Sequence, residues 1–286
     1  MDDESSALQL LASGAAADAS RALREDVGAG DLTAALMPAL RRMEARVLVR
    51  EPAVICGRPW VEATLHEVDS AISAHWHVGE GGRAAKDEVV LTLEGPARSL
   101  LTAERPVLNF MQLLSAVATK TAAYVEAVRG TRAQIVDTRK TLPGLRMAQK
   151  YAVRVGGGTN HRIGLFDAVL IKENHIAAAG GVAAALDAAR SVAPAAKFIE
   201  IEVERLEQLR EALEAGAKMV LLDNMDLPTL HEAVRINAGR ATLEISGGVT
   251  LDSVRALAET GVDRISIGAL TKDVKATDFS MRFAGT

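Results

Sequence analysis

KFIEIEVERLEQLREALEAGAKMVLLDN, residues 197–224, carries the pattern on which the fold turns. KFIEIEVE is a short strand-like run. Its acids Glu200, Glu202 and Glu204 recur at period two, which puts them on one face of a strand. LEQLREALEAG then shows apolar residues at helical steps, and KMVLLDN is a second apolar run. A strand, a helix and a strand in so few residues imply parallel strands joined by a crossover helix. The rhythm extends both ways. Toward the N-terminus QIVD, LRMAQKYAVRV, DAVLIK and GVAAALDAARSV read as strand, helix, strand, helix. Toward the C-terminus LPTLHEAVRINAG, TLEISGG, LDSVRALAETG and RISIGAL read as helix, strand, helix, strand. Six strands after residue 130 are enough to close, or nearly close, an α/β barrel, with a doubly wound open sheet as the alternative.

Before residue 130 the texture differs. Residues 6–25 have helical spacing, and GAGDLT at 28–33 breaks it. ARVLVREPAVI, AISAHWHV and EVVLTLEG are β-like runs around the helical WVEATLHEV, which together suggest a small α+β sandwich. Residues 95–130 read as mostly helical, with Pro106 tolerable if it sits in a helix's first turn. The expected division is a sandwich domain over 1–115, joined by part of the C-terminal tail, and a barrel catalytic domain over 116–286.

Composition narrows the function classes. Aromatic residues are 3% of the chain and the net charge is −4, so a general nucleic-acid surface is not expected. One cysteine, Cys56, rules out an intramolecular disulfide. The acidic start MDDESS lacks the pattern of a signal peptide, and no long apolar run suggests a membrane span. A cytoplasmic protein is the resulting expectation. Against the acidic whole, the span Arg139–Lys172 holds seven Lys and Arg residues and the single acid Asp167. An anionic ligand is expected there.

In α/β folds the ligand sits at the carboxyl ends of the strands. Those ends read Asp137-Thr138-Arg139-Lys140, Lys172-Glu173-Asn174-His175, Glu200 to Glu204, Asp223-Asn224, Ser246-Gly247-Gly248 and Gly268-Ala269-Leu270. Six charged or glycine-bearing ends suggest one composite pocket. The last two suggest a phosphate cradle, since glycine lets backbone approach an anion closely. Glu202 and Asp223 suit Mg²⁺, ribose hydroxyls or a cationic sugar transition state, unless they pair with a pocket lysine. GGGTNHR, 156–162, does not follow a strand, so it reads as a flexible loop delivering His161 and Arg162. His175 reads as a core histidine. Spacing for a zinc site is absent. A barrel aldolase using Lys140 or Lys172 as a Schiff base is the rival of another class.

DTRKTLPGLR, GGGTNHRIGLFDAVLIKENH, IEIEVE, LLDN and EISGG, in that order, resemble the quinolinate phosphoribosyltransferase family. GDLT at 30–33 and AERPVLNFMQLLS at 103–115 extend the resemblance over nearly the whole chain. It implies a type II phosphoribosyltransferase-like fold and a homodimer. It also implies conversion of quinolinate and phosphoribosyl pyrophosphate to nicotinate mononucleotide, pyrophosphate and CO₂ with Mg²⁺. By the resemblance, Arg139, His161, Arg162 and Lys172 line the quinolinate carboxylates, with Thr138 orienting one of them. Arg105 enters from the partner subunit, and Lys140 contacts phosphoribosyl pyrophosphate. Glu202 and Asp223 hold the ribose hydroxyls and Mg²⁺, while Ser246, Gly247, Gly248 and Gly268 cradle the 5′-phosphate. Lys140, Glu202 and Asp223 are the implied catalytic groups. Two departures stand out: Pro106 after the arginine, and Ile245 before the serine where a small residue is commoner.

Overall fold

The computed structural model describes residues 2–284. Along the chain come helix α1 (Asp2–Val27), strands β1 (Arg42–Val49) and β2 (Ala53–Val54), and helix α2 (Arg58–Val68). Strands β3 (Ser73–Trp76), β4 (Arg83–Ala84) and β5 (Val89–Pro96) precede the long helix α3 (Ala97–Ala127). Then follow β6 (Gln134–Val136), α4 (Arg146–Val155), β7 (Val169–Ile171), α5 (Glu173–Ala179) and α6 (Val182–Val192). The remainder is β8 (Ile199–Val203), α7 (Leu206–Glu214), β9 (Met219–Asp223), α8 (Leu227–Asn237), β10 (Thr242–Ser246), α9 (Val254–Glu259), β11 (Arg264–Ser266), α10 (Ala269–Lys272) and β12 (Phe279–Phe283). Two compact units result. One holds the chain up to Lys120, Leu142–Gly157 and the tail from Asp273; the other holds Thr121–Thr141 and Gly158–Lys272.

The first unit is built on an antiparallel sheet ordered β12-β1-β5-β3. Alternation in β1 buries Ala45, Val47 and Val49 and turns Arg46 outward. Ala45 stands opposite Leu93 and Val47 opposite Leu91, so both strands present one apolar face. Val61 and Leu65 of α2 and Leu100, Ala103, Val107 and Met111 of α3 complete that core. Helix α1 buries Ala15, Ala19 and Leu23, a four-residue repeat on one face. Asp31 of the GDLT motif accepts hydrogen bonds from the N–H groups of Thr33 and Ala34 and from Thr102 Oγ1. Those bonds hold its carboxyl below the usual range.

One condition is not met here, and one expectation changes. Pro106 lies well inside α3, not in a first turn. It has no N–H for the Thr102 carbonyl, a cost of about 3 kcal/mol in an isolated helix. Burial of its neighbours Ala103, Val107 and Met111 opposes that cost. Helix α4, counted with the barrel by strand–helix rhythm, groups with the first unit. Tyr151 of α4 packs its ring against buried Trp60, whose indole N–H donates to Asp18.

The second unit is a parallel sheet of six strands, ordered β6-β11-β10-β9-β8-β7. Consecutive strands β6 and β7 are its two ends, which is the order of an α/β barrel cut between them. Thr159 makes an isolated parallel bridge to Val136 of β6. Strand β9 buries four of its five residues and β10 its three central ones, as parallel strands covered on both faces do. Ile245 is buried within β10, so its bulk is absorbed by packing. Among the described residues no helix is long and apolar enough to cross a membrane.

Candidate active site

The carboxyl ends of the six parallel strands carry the polar residues. At the end of β6, Asp137 is fully buried and acts as an anchor. Its Oδ1 accepts the His161 N–H at 2.8 Å, and its Oδ2 accepts from Asn160 Nδ2 at 2.6 Å. Asp167 does the same further on, accepting from the Ile163 and Gly164 N–H groups. Burial works to raise its pKa, but those donors and Lys197 bring it below the usual carboxylate range. The glycine-rich stretch is therefore no flexible loop at His161 and Arg162. Both side chains are buried and both backbones are pinned.

Both ring nitrogens of His161 are engaged within the chain. Nδ1 accepts the Arg162 N–H at 2.8 Å, so the proton is on Nε2, which faces Glu200 Oε2 at 2.7 Å. Arg162 in turn donates from Nη1 to the Ala168 carbonyl at 3.3 Å. Burial, and then the nearby Arg139 guanidinium, lower the Arg162 pKa; Glu200 and Asp167 oppose them.

Arg139, Arg162, Lys172 and His175 line one cleft with Leu165 and Ala168, of about 340 Å³. Three fixed cations on one small cleft are the outstanding electrostatic feature of the unit. His175 is exposed, not a core residue; its Nδ1 accepts the Lys172 N–H at 2.9 Å, at the start of α5. A larger cleft of about 530 Å³ lies at the amino ends of β8, β9 and β10. It is away from these residues, on the end where α/β barrels do not place chemistry.

The acids of β8 and the residue after it form a gradient: Glu200 is fully buried, Glu202 is partly buried and Glu204, just past the strand, is exposed. Lys172 Nζ reaches Glu202 Oε2 at 3.0 Å, so the pairing with a pocket lysine exists. Asp223 stands beside Ser246 in the β9–β10 register, and its Oδ2 accepts from Asn224 Nδ2 at 2.8 Å. Asn224 has φ of 53° and Gly247 of 108°, and a Cβ on Gly247 would collide with Asn224 Oδ1. At the far end, Thr138 Oγ1 accepts the Lys140 N–H at 3.1 Å, and Thr271 Oγ1 donates to the Lys140 carbonyl at 2.8 Å. The Lys140 side chain crosses Gly268, where a Cβ would stand 3.0 Å from its Cδ.

Sequence models of the two domains of quinolinate phosphoribosyl transferase match this chain, the N-terminal domain over 31–115 and the C-terminal domain over 117–282. The chain belongs to the quinolinate phosphoribosyltransferase family. It is 45% identical over 271 residues to the nicotinate-nucleotide pyrophosphorylase [carboxylating] of Mycobacterium leprae, covering 91% of this chain and 94% of that one. It is 42% identical over 257 residues to the probable enzyme of that name from Bacillus subtilis, covering 90% and 89%. The solved nicotinate-nucleotide pyrophosphorylase of Francisella tularensis superposes with a TM-score of 0.92 at 41% identity, covering 95% and 96%.

Within this quinolinate phosphoribosyltransferase fold, the residues expected at the site fall into three groups. Arg139, Arg162 and Lys172 share the cleft, with His161 bonded to Arg162 and Glu202 to Lys172. Asp223, Ser246, Gly247 and Gly248 occupy the adjoining ends of β9 and β10. Thr138, Lys140 and Gly268 meet at the ends of β6 and β11. Arg105 belongs to the first unit, exposed on α3. Sequence reasoning missed Glu244 and Arg264, which lie opposite each other on β10 and β11 and pair at 3.0 Å. A lone acid inside the apolar strand TLEIS was the available signal.

Proposed function

We propose that this chain transfers the phosphoribosyl group of phosphoribosyl pyrophosphate to quinolinate, releasing pyrophosphate and CO₂ and forming nicotinate mononucleotide. The single observation that carries this reading is the cleft on which Arg139, Arg162 and Lys172 converge. A dianionic pyridine needs fixed cations, and guanidinium forks suit carboxylates because they donate in a planar, bidentate way. Quinolinate bound there is oriented by the arginines and by Lys172, with Thr138 completing the pocket. Its ring nitrogen attacks the anomeric carbon as pyrophosphate departs. The resulting pyridinium stabilises the electron pair left on C2 when the adjacent carboxylate departs as CO₂, and a proton taken up from water at C2 completes nicotinate mononucleotide.

Lys140 is the cation assigned to phosphoribosyl pyrophosphate, since its side chain is exposed and laid over Gly268. The Ser246-Gly247-Gly248 turn is assigned the 5′-phosphate. Glu202 and Asp223 are assigned the ribose hydroxyls and the stabilisation of positive charge on the sugar. Among the described residues neither carboxylate belongs to a group of three close metal-ligating side chains. Two separate oxygen donors fit Mg²⁺, which retains waters and takes one or two carboxylates with substrate phosphates. Held by Glu202 and Asp223, Mg²⁺ would supply charge neutralisation for the leaving pyrophosphate. The assembly proposed is a homodimer in which exposed Arg105 serves the neighbouring subunit's site.

Purified protein given quinolinate, phosphoribosyl pyrophosphate and Mg²⁺ should release CO₂ and nicotinate mononucleotide in equal amounts. Nicotinate in place of quinolinate should give no product. Folded protein silent with quinolinate overturns the reading.

A further inference from the structure

Beneath Arg162 lies a buried set of charges that the transfer reaction does not call for. His161 Nε2 is 2.7 Å from Glu200 Oε2 and 3.6 Å from Glu244 Oε1. Arg264 Nε is 3.0 Å from Glu244 Oε2. Glu200 and Glu244 are fully buried, and Glu200 Oε1 has no hydrogen-bond partner. Burying two carboxylates is costly unless something is gained by their positions.

The ligand atoms of His161, Glu200 and Glu244 lie within 4.8 Å of one another, a spacing compatible with a metal ion. The hydrogen bonds argue otherwise. Since Nδ1 of His161 accepts the Arg162 N–H, Nε2 bears the proton and has no lone pair to offer a metal. Arg264 already supplies the cation beside Glu244. For the same reason His161 has no ring N–H left for a substrate carboxylate. Its ring is buried, with Phe198 edge-on at 5.3 Å.

What the set does hold is the Arg162 backbone. The His161 N–H is tied to Asp137 on one side, its Nε2–H to Glu200 on the other, and its Nδ1 receives the Arg162 N–H. We propose that Glu200, backed by Glu244 and Arg264, is a positioning residue that locks His161 in its Nε2–H form so that Arg162 is aimed into the cleft. This rests on the reading of that cleft as the quinolinate site. It makes His161 a strut between the sheet interior and Arg162 rather than a carboxylate donor.

Glu200→Ala and Glu200→Gln in the full chain test it, with KM measured separately for each substrate. Glu200→Ala should raise the quinolinate KM about 10-fold or more, as expected for a displaced charged hydrogen bond, and leave that for phosphoribosyl pyrophosphate within about twofold. Glu200→Gln keeps an acceptor for the Nε2–H and should recover most of the loss. Nitrogen NMR of ¹⁵N-histidine-labelled wild type, with the His161 signals identified by their loss in His161→Asn, should show a neutral ring protonated at Nε2. A quinolinate KM unchanged in Glu200→Ala overturns the proposal, and so does a charged or Nδ1–H ring in the wild type. The NMR arm does not use Glu200→Ala, so it can overturn the proposal even where that variant fails to fold. Wild type that does not turn over quinolinate sinks the functional reading instead, and the His161 tautomer is still read.

Discussion

Lys172 Nζ lies 3.0 Å from Glu202 Oε2, joining the cleft of cations to the row of acids on β8. The lysine side chain is 46% exposed and the glutamate 11%, so the pair sits where a substrate can reach it. Replacing Lys172 by Ala removes one cleft cation and leaves Glu202 without its counter-ion. Quinolinate KM should rise about 10- to 100-fold, the range of a charged hydrogen bond. Glu202→Gln should instead lower kcat, because it removes negative charge near the sugar. Steady-state kinetics with each substrate varied in turn separates the two effects.

Gly268 and Gly247 are required for different reasons. At Gly268 a methyl group meets the flexible Lys140 side chain, which can move aside. Gly268→Ala should therefore fold normally and lose kcat, by about 10²-fold if Lys140 shifts by 1 Å. At Gly247 the obstacle is Asn224, itself at positive φ, and the glycine's own φ of 108° disfavours any side chain. Gly247→Ala should cost about 1–3 kcal/mol of stability. Thermal unfolding of both variants distinguishes them; an equally destabilised Gly268→Ala would contradict the assignment of a flexible neighbour.

Burial pushes the Glu244 pKa up to about 7; nearby Glu200 adds to the rise, while Arg264 opposes it. The native state then holds a proton that the unfolded chain releases near the ordinary carboxylate range. Stability should fall as pH rises through the window between them, by up to about 1.4 kcal/mol per pH unit for each proton held, and level off above about 7. Glu244→Gln should flatten that slope. Urea unfolding at several pH values measures it, and an unchanged slope in the variant would rule out Glu244 as its source.

The proposed exchange of Arg105 between subunits has a direct consequence. Arg105→Ala and Lys140→Ala should each be inactive alone. Mixed and refolded together, they should regain up to about a quarter of wild-type activity, the statistical yield of one intact site per mixed dimer. Recovery of none, with dimers confirmed by light scattering, would count against a site built across subunits.

Much of this molecule is written in local pattern. The run KFIEIEVE to KMVLLDN determined parallel strands and a crossover helix, because side chains alternate in a strand and recur at 3.6 in a helix. The charge density between Arg139 and Lys172 announced an anionic ligand, because so many like charges need a counterpart. Tertiary structure alone decided the rest. LRMAQKYAVRV reads as a barrel helix from its place in the rhythm, but Tyr151 packs on Trp60, a partner far away in sequence. Pro106 stays inside α3 because burial around it outweighs its local preference. His161 reads as part of a flexible loop until Asp137, Glu200 and the Arg162 N–H are seen to hold its backbone and ring. Glu244 and Arg264 carry no local signature of their role: a single strand shows which face a residue occupies, and only the assembled sheet shows what faces it.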